Sequence, residues 1–234
     1  MKAEQLTQKL QSLASQEMAA KSQRFFKTGT GRYGEGDRFL GIRVPILRQQ
    51  AREFQNMSLT QVLRCLKSAY HEERLCALLI LVRKFESGDE KLRERLFRRY
   101  LDHTRYINNW DLVDSSAYQI VGTYLLTRER KILYQLASSD SLWERRIAII
   151  ATYRFIREQQ YEDTLAIAER LLMDQQDLIH KAVGWMVREV GNRDRSRAQQ
   201  FLDPRYQAMP RTMLRYAIEK FPEPLRQNYL KGEI

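Results

Sequence analysis

Three stretches of this 234-residue chain set an aromatic ring beside a charge at helical spacing: "NNWDLVDSSAYQI", "LWERRIAIIATYR" and "HKAVGWMVREV". In the first, Trp110 and Asp114 are four residues apart and share one helix face. In the second, Trp143, Arg146 and Arg154 approximate a stripe, and in the third Lys181, Trp185 and Arg188 form another. A flat ring next to a cation suits stacking on a base or sugar edge while a phosphate is held alongside, which is what a groove for nucleic acid needs. A lone Trp at this spacing serves equally well in a core, with the charge on a wet rim one turn away. Recurrence on three segments favours the shared role.

A fourth motif points elsewhere. Residues 29 to 34 read "GTGRYG", the G-x-G-x-x-G pattern of a dinucleotide cradle. That cradle needs a strand before the first glycine and a helix opening near the last, because the helix end supplies the amides that hold the phosphates. The preceding segment is Ala-, Gln- and Lys-rich with helical spacing, and two more glycines follow before Pro45, so a nucleotide cradle is excluded. For residues 28–44 two readings stand, a flexible connector that brings Arg32, Arg38 or Arg43 to nucleic acid and an ordinary long surface loop.

The elements that must position these residues are helices. Ser58 and Gln61 read as a capping box, Pro45 suits the first turn of "PILRQQAREF", and "ERLCALLILVRKF", "WERRIAIIATYRFI" and "HKAVGWMVREV" carry apolar residues at three- and four-residue spacing. No segment alternates like a strand, and the connectors are short and polar, as between antiparallel helix pairs. The helices also repeat. Glu73 of "ERLCAL", Arg145 of "RRIAII" and His180 of "HKAVGW" occupy similar slots 72 and 35 residues apart, and Arg215 of "LRYAIEKF" falls 34 after Lys181. Such a period belongs to two-helix repeats that stack to bury a shared core, so the expected fold is all-α, a single α-solenoid spanning 1–234.

Composition narrows the partner. Lys and Arg number 40 against 29 Asp and Glu, a net charge of +11 that suggests a polyanion, nucleic acid before an anionic membrane surface. The polar start "MKAEQLTQKL" is unlike a signal peptide, and a cytoplasmic, nucleoid-associated monomer is expected. The two cysteines, Cys65 and Cys76, lie on apolar helix faces and are expected as buried thiols, with neither a disulfide nor a metal site.

"FLGIRVP" at 39–45, "WDLVDS" at 110–115, "WERRIAI" at 143–149 and "HKAVGWMVRE" at 180–189 resemble, in order and spacing, the HEAT-like-repeat alkylpurine DNA glycosylases of the AlkD type. The resemblance covers nearly the whole chain. It implies a solenoid that grips duplex DNA in a basic concave channel and releases cationic N3- or N7-alkylated purines without a cofactor or metal. Carried over residue by residue, it implies Asp114 as the catalytic aspartate, Trp110 and Trp185 as the paired tryptophans and Arg146 as the key arginine. Arg154 and Arg188 fall on backbone-contacting positions, with Phe25, Arg43, Arg145 and Lys181 completing the DNA-facing set. Phe25 stands where the family can present a tyrosine, so the ring is kept and the hydroxyl is not.

The chemistry suits these residue types. An N3- or N7-alkylated purine is already cationic and leaves as a neutral base, so no general acid is required, and His71, His103 and His180 are expected only at helix ends or on the surface. As the glycosidic bond breaks, the sugar becomes oxocarbenium-like and a nearby carboxylate stabilises it. Asp114 is assigned that role, and Asp111, in the same turn, is expected only to serve the helix end. Two other functions share these residues: a non-catalytic binder of damaged or branched DNA, and a HEAT-type protein scaffold.

Overall fold

The segment "HEERLCALLILVRKF" is apolar on every side after its first turn, and such a helix must be surrounded. The computed structural model describes residues 1–234. It divides into two compact units, 1–116 and 117–234. In the first, that segment becomes the buried axis α5 (His71–Ser87), on which α1 (Ala3–Ser12), α3 (Val44–Glu53), α4 (Leu59–Leu66), α6 (Glu90–Leu101) and α7 (Trp110–Asp114) pack. Leu75, Cys76, Leu78, Ile80, Leu81 and Phe85 form the core along it. α2 (Gln16–Phe25) follows α1, and residues between α2 and α3 form the long irregular loop.

The second unit opens on a π-helical turn (Tyr118–Gly122) and α8 (Thr123–Leu125). It continues through α9 (Lys131–Ala137), α10 (Leu142–Ala151), α11 (Tyr153–Arg157), α12 (Glu162–Arg170), α13 (Asp177–Gly191), α14 (Arg195–Leu202), α15 (Arg211–Ala217) and α16 (Glu223–Lys231). Here the helices stack as repeats: α10 packs on α13 and α13 on α15, with α9 and α12 alongside them. Ion pairs tie successive repeats at Arg130–Asp163 (2.6 Å), Arg145–Asp174 (2.6 Å) and Arg197–Glu162 (3.1 Å). The protein is thus all-α, built of stacked helix pairs as the repeat spacing predicts. The one β-type contact is an isolated bridge between Arg38 and Tyr70.

Pro45 lies in the first turn of α3, and both cysteines are buried free thiols, as expected. The capping box is not formed. Ser58 precedes α4 without a side-chain cap bond, and Gln61 instead accepts the amide of Ala3 at 2.8 Å. A donor at the start of α1 wins the Gln61 carbonyl, so this side chain joins two helices.

Close packing between α13 and α15 depends on Gly184. A Cβ there would lie 2.4 Å from the Met213 carbonyl oxygen and 2.5 Å from the Tyr216 Cβ. Alanine is the better helix former by about 1 kcal/mol, but overpacking against backbone costs about 1–3 kcal/mol and is the larger effect here. Gly184→Ala should therefore lower the urea midpoint; an unchanged or raised midpoint would show that α15 yields freely.

Candidate active site

α7 is only five residues long, and both of its ends are held from outside. Asn109 caps it, its Oδ1 accepting the Trp110 amide at 2.9 Å, and its Nδ2 donates to Asp37 Oδ2 at 3.0 Å. Asp111, in the first turn, accepts the Leu112 amide through Oδ1 (2.9 Å) and His71 Nε2 through Oδ2 (2.8 Å). At the far end Ser116 Oγ donates to the Leu112 carbonyl (2.6 Å) and lies 2.9 Å from the hydroxyl of fully buried Tyr100. The helix that begins with Trp110 and ends with Asp114 is clamped, so the spacing of ring and carboxylate is set by the surrounding packing.

The clamp is a buried charge network. His71 Nδ1 lies 3.2 Å from Asp37 Oδ2, and Arg74 Nη2 lies 2.5 Å from Asp37 Oδ1; the three side chains are 2–4% exposed. Burial alone would pull the His71 pKa down, but the Asp111 and Asp37 hydrogen bonds prevail and raise it to about 9. The ring is therefore an imidazolium at neutral pH, with both N–H groups donating to carboxylates. Burial opposes ionisation of Asp37 too, yet His71, Arg74 and Asn109 hold its carboxyl below the usual range. Two carboxylates against two cations leave the network balanced, which a buried charge cluster requires.

Above this network lies a ladder of rings. His71 stacks on Phe39 (4.7 Å), Phe39 on Phe26 (5.0 Å), and Phe26 on Trp110 (5.4 Å, planes 23° apart). Phe25 meets Trp110 edge-on at 6.0 Å and is 65% exposed, while Trp110 and Asp114 are partly exposed. A wet aromatic face and a carboxylate thus sit at opposite ends of one rigid turn.

The long loop is two different structures. Its first part lines a cleft of about 670 Å³ whose walls include Arg24, Lys27, Gly29 and Arg32. Its second part is buried, because the Glu72 carboxylate accepts three successive amides, from Leu40 (2.8 Å), Gly41 (2.7 Å) and Ile42 (3.3 Å). Gly41 has φ +79°, and a Cβ there would lie 2.2 Å from the Ser15 carbonyl oxygen. The flexible connector expected over 28–44 is corrected for 37–42: Asp37 lies in the buried charge network and the Glu72 carboxylate pins 40–42. Arg38 rests on Tyr70, 3.1 Å from its hydroxyl, and Arg43 is exposed just before α3.

The second unit holds the remaining sequence-assigned residues. Trp185 is half-buried on α13, donating Nε1–H to Glu189 at 3.2 Å and lying 6.2 Å from Tyr153. Arg146 is 5% exposed and donates to the Leu178 carbonyl in the first turn of α13. Arg145 bonds Asp174 and the carbonyls of Ser139 and Asp140 (both 2.9 Å), a tie between repeats. Arg154 pairs with Glu158, Arg188 with Glu219, and Lys181 with Asp177 at 2.7 Å. Each of these ion pairs is partly exposed, where a competing phosphate meets little net cost of exchange.

Sequence reasoning missed Asp37, His71, Arg74 and Asn109. His71 does open a helix, but it is buried rather than at the surface, and His103 is buried as well, at 9% exposure. Asp111 does serve its helix end and is also the partner of His71. A signal was present: four polar residues, "HEER", head a helix otherwise surrounded by apolar neighbours, and each must find a partner there.

Residues 6–221 match the family model described as DNA alkylation repair enzyme. The chain is also similar to a solved structure described as "Predicted DNA alkylation repair enzyme from Enterococcus faecalis", with a TM-score of 0.69 and 13% sequence identity. That similarity covers 90% of this chain and 97% of the other. At that identity it is a likeness of fold. No curated protein matches.

Proposed function

Because the chain belongs to the DNA alkylation repair enzyme family, we propose that it is a monofunctional DNA glycosylase. It binds duplex DNA through its basic surface and hydrolyses the N-glycosidic bond of cationic N3- or N7-alkylated purines. The observation that carries this reading is the clamped α7, with partly exposed Trp110 at its start, Asp114 at its end and exposed Phe25 against the ring.

The alkylated purine bears its positive charge before reaction and departs neutral, so proton donation is unnecessary. What the reaction lacks in water is a stabiliser for the oxocarbenium-like sugar, and Asp114 is assigned to it. A unit charge pair about 6 Å apart at an effective dielectric of about 20 is worth roughly 3 kcal/mol, or about 100-fold in rate. Trp110 and Trp185 supply flat faces to the deoxyribose. Arg146 is assigned to a phosphate near the lesion, in addition to its bond with the Leu178 carbonyl. Phe25, Arg43, Arg145, Arg154, Lys181 and Arg188 are assigned to the DNA. For Arg145 this adds to a tie already made between repeats.

Release should track the charge of the lesion. Matched duplexes carrying 7-methylguanine, 3-methyladenine, a bulky N7 adduct, uracil or hypoxanthine are incubated with the protein and free base is measured. The cationic purines, bulky adduct included, should be released; uracil and hypoxanthine, poor neutral leaving groups, should stay on the sugar. Clear excision of uracil would sink the charge argument. A second reading, non-catalytic recognition of damaged DNA, draws on Phe25, which lacks the hydroxyl of a tyrosine. It predicts tight duplex binding with no release from any of the five.

A further inference from the structure

Three half-buried rings line up in the second unit, one from each of three elements. Tyr118 of the π-helical turn meets Tyr153 of α11 edge-on at 5.2 Å, and Tyr153 lies 6.2 Å from Trp185 of α13 with the planes 38° apart. Gly122 lets the turn pack this closely, since a Cβ there would lie 2.2 Å from the Ala151 carbonyl oxygen at the end of α10. Such ring pairs are favourable. A tryptophan χ2 is a broad torsion, however, so one ring against one face leaves an indole free to rock.

What stops it is Glu189, one turn further along α13. Its Oε1 accepts the Trp185 Nε1–H at 3.2 Å and its Oε2 accepts Arg193 Nη1 at 3.0 Å, while the same Nη1 also donates to the Glu189 carbonyl at 3.0 Å. The Arg193 guanidinium in turn lies over the Tyr153 ring, 5.9 Å from its centre. The contacts close on themselves, from Trp185 to Glu189, Arg193, Tyr153 and back to Trp185. Arg188 adds a cation 3.9 Å from the same carboxylate, whose side chain is 15% exposed. Only a carboxylate fits this place. Both of its oxygens face donors, whereas a glutamine would turn its NH2 group toward the indole N–H or toward the guanidinium and leave that donor unmatched.

We propose that Glu189 is a positioning residue, held by Arg193 and Tyr153, that fixes the plane of the Trp185 indole. This rests on the reading above, in which that plane faces the deoxyribose. The duplex is held by many cations, so a loosened ring costs rate more than affinity.

The test is a cycle of Glu189→Gln, Trp185→Phe and the two combined, with melting curves to confirm that each folds. Single-turnover release of 7-methylguanine should fall about tenfold in Glu189→Gln, with duplex affinity changed by less than about twofold. In the Trp185→Phe background the same change should add almost nothing, because the ring through which Glu189 acts is gone. An unchanged rate or additive losses would overturn the proposal. A second readout needs no activity. The Trp185 indole N–H signal of an isotope-labelled sample, identified by its absence from Trp185→Phe, should move in Glu189→Gln and exchange with water about tenfold faster than in wild type. Should Glu189→Gln be unstable, Arg193→Gln, more exposed and farther from the ring, should shift the signal in the same sense by less. A signal unchanged in both variants would also overturn the proposal. If wild type releases no base from any lesion while the signal shifts as expected, the glycosylase reading falls and the brace on Trp185 stands.

Discussion

Asp114→Asn should leave duplex affinity intact and slow release of 7-methylguanine by about 100-fold or more. The substitution keeps size and hydrogen-bonding capacity and removes the charge, and a charge facing an oxocarbenium ion is worth about 3 kcal/mol in the transition state and little before it. The loss should therefore fall on single-turnover rate rather than on binding. Asp111→Asn, three residues earlier, provides the contrast. Asp111 holds the buried His71 imidazolium at 2.8 Å, so its neutralisation should lower the melting temperature while folded protein retains most of its rate. Equal rate losses in both variants, or full activity in Asp114→Asn, would show the assignment to be wrong.

The second large effect concerns pH. His71 titrates near 9 in the folded protein, against an ordinary value of 6.5. A group whose folded pKa is raised contributes stability that is fully present below the unfolded pKa and is lost as pH rises through the folded one. The difference of about 2.5 pH units corresponds to about 3 kcal/mol, of which about 2 kcal/mol should disappear between pH 6.5 and 8.5. His71 is 2% exposed, so solvent screening takes little from this. The buried thiols stay protonated in the fold across that window, burial having pushed Cys65 to about 11 and Cys76 to about 12, but they ionise near 9 once unfolded and so add a smaller loss at its upper edge. Asp37, whose pKa is lowered, acts at the opposite end, losing its contribution only as pH falls through the acid range. Urea unfolding of wild type and His71→Gln at pH 6.5, 7.5 and 8.5 checks this. Wild type should weaken steadily, and the variant should be lower and close to flat until the smaller thiol contribution is lost near pH 8.5; parallel slopes throughout would mean that another group is responsible.

The helices and their repeat were legible in the sequence because periodicity is local: "RRIAII" and "HKAVGW" carry their own spacing and form in α10 and α13, while α15 takes only the first half of "LRYAIEKF" and ends at Ala217. Trp110 and Asp114 were legible as a pair for the same reason. The network beneath them was not. Asp37, His71, Asn109 and Asp111 are brought together across separations of 34, 40 and 72 residues, and no local pattern encodes such a meeting. The capping box failed for a related cause, since Gln61 had a better partner 58 residues away. Local rules placed the elements; competition among distant partners decided what their polar side chains do.

The Glu72 carboxylate and its three amides carry a consequence for how motion is distributed. Leu40, Gly41 and Ile42 lie in coil, yet their N–H groups are enclosed and bound to a buried anion anchored in the first turn of the central helix of their unit. Exchange of these hydrogens with deuterated solvent requires α5 itself to open, so they belong kinetically to the slowest class in their unit, alongside core helical amides. The glycine-bearing stretch from Gly29 to Gly36, a few residues upstream, is held by bonds of its own short turns, such as the Gly31 amide to the Glu35 carboxylate at 2.8 Å, and should exchange faster. Within a dozen residues of one loop, the backbone passes from turns that open locally to amides tied to the central helix of its unit, and the border is drawn by a side chain rather than by secondary structure.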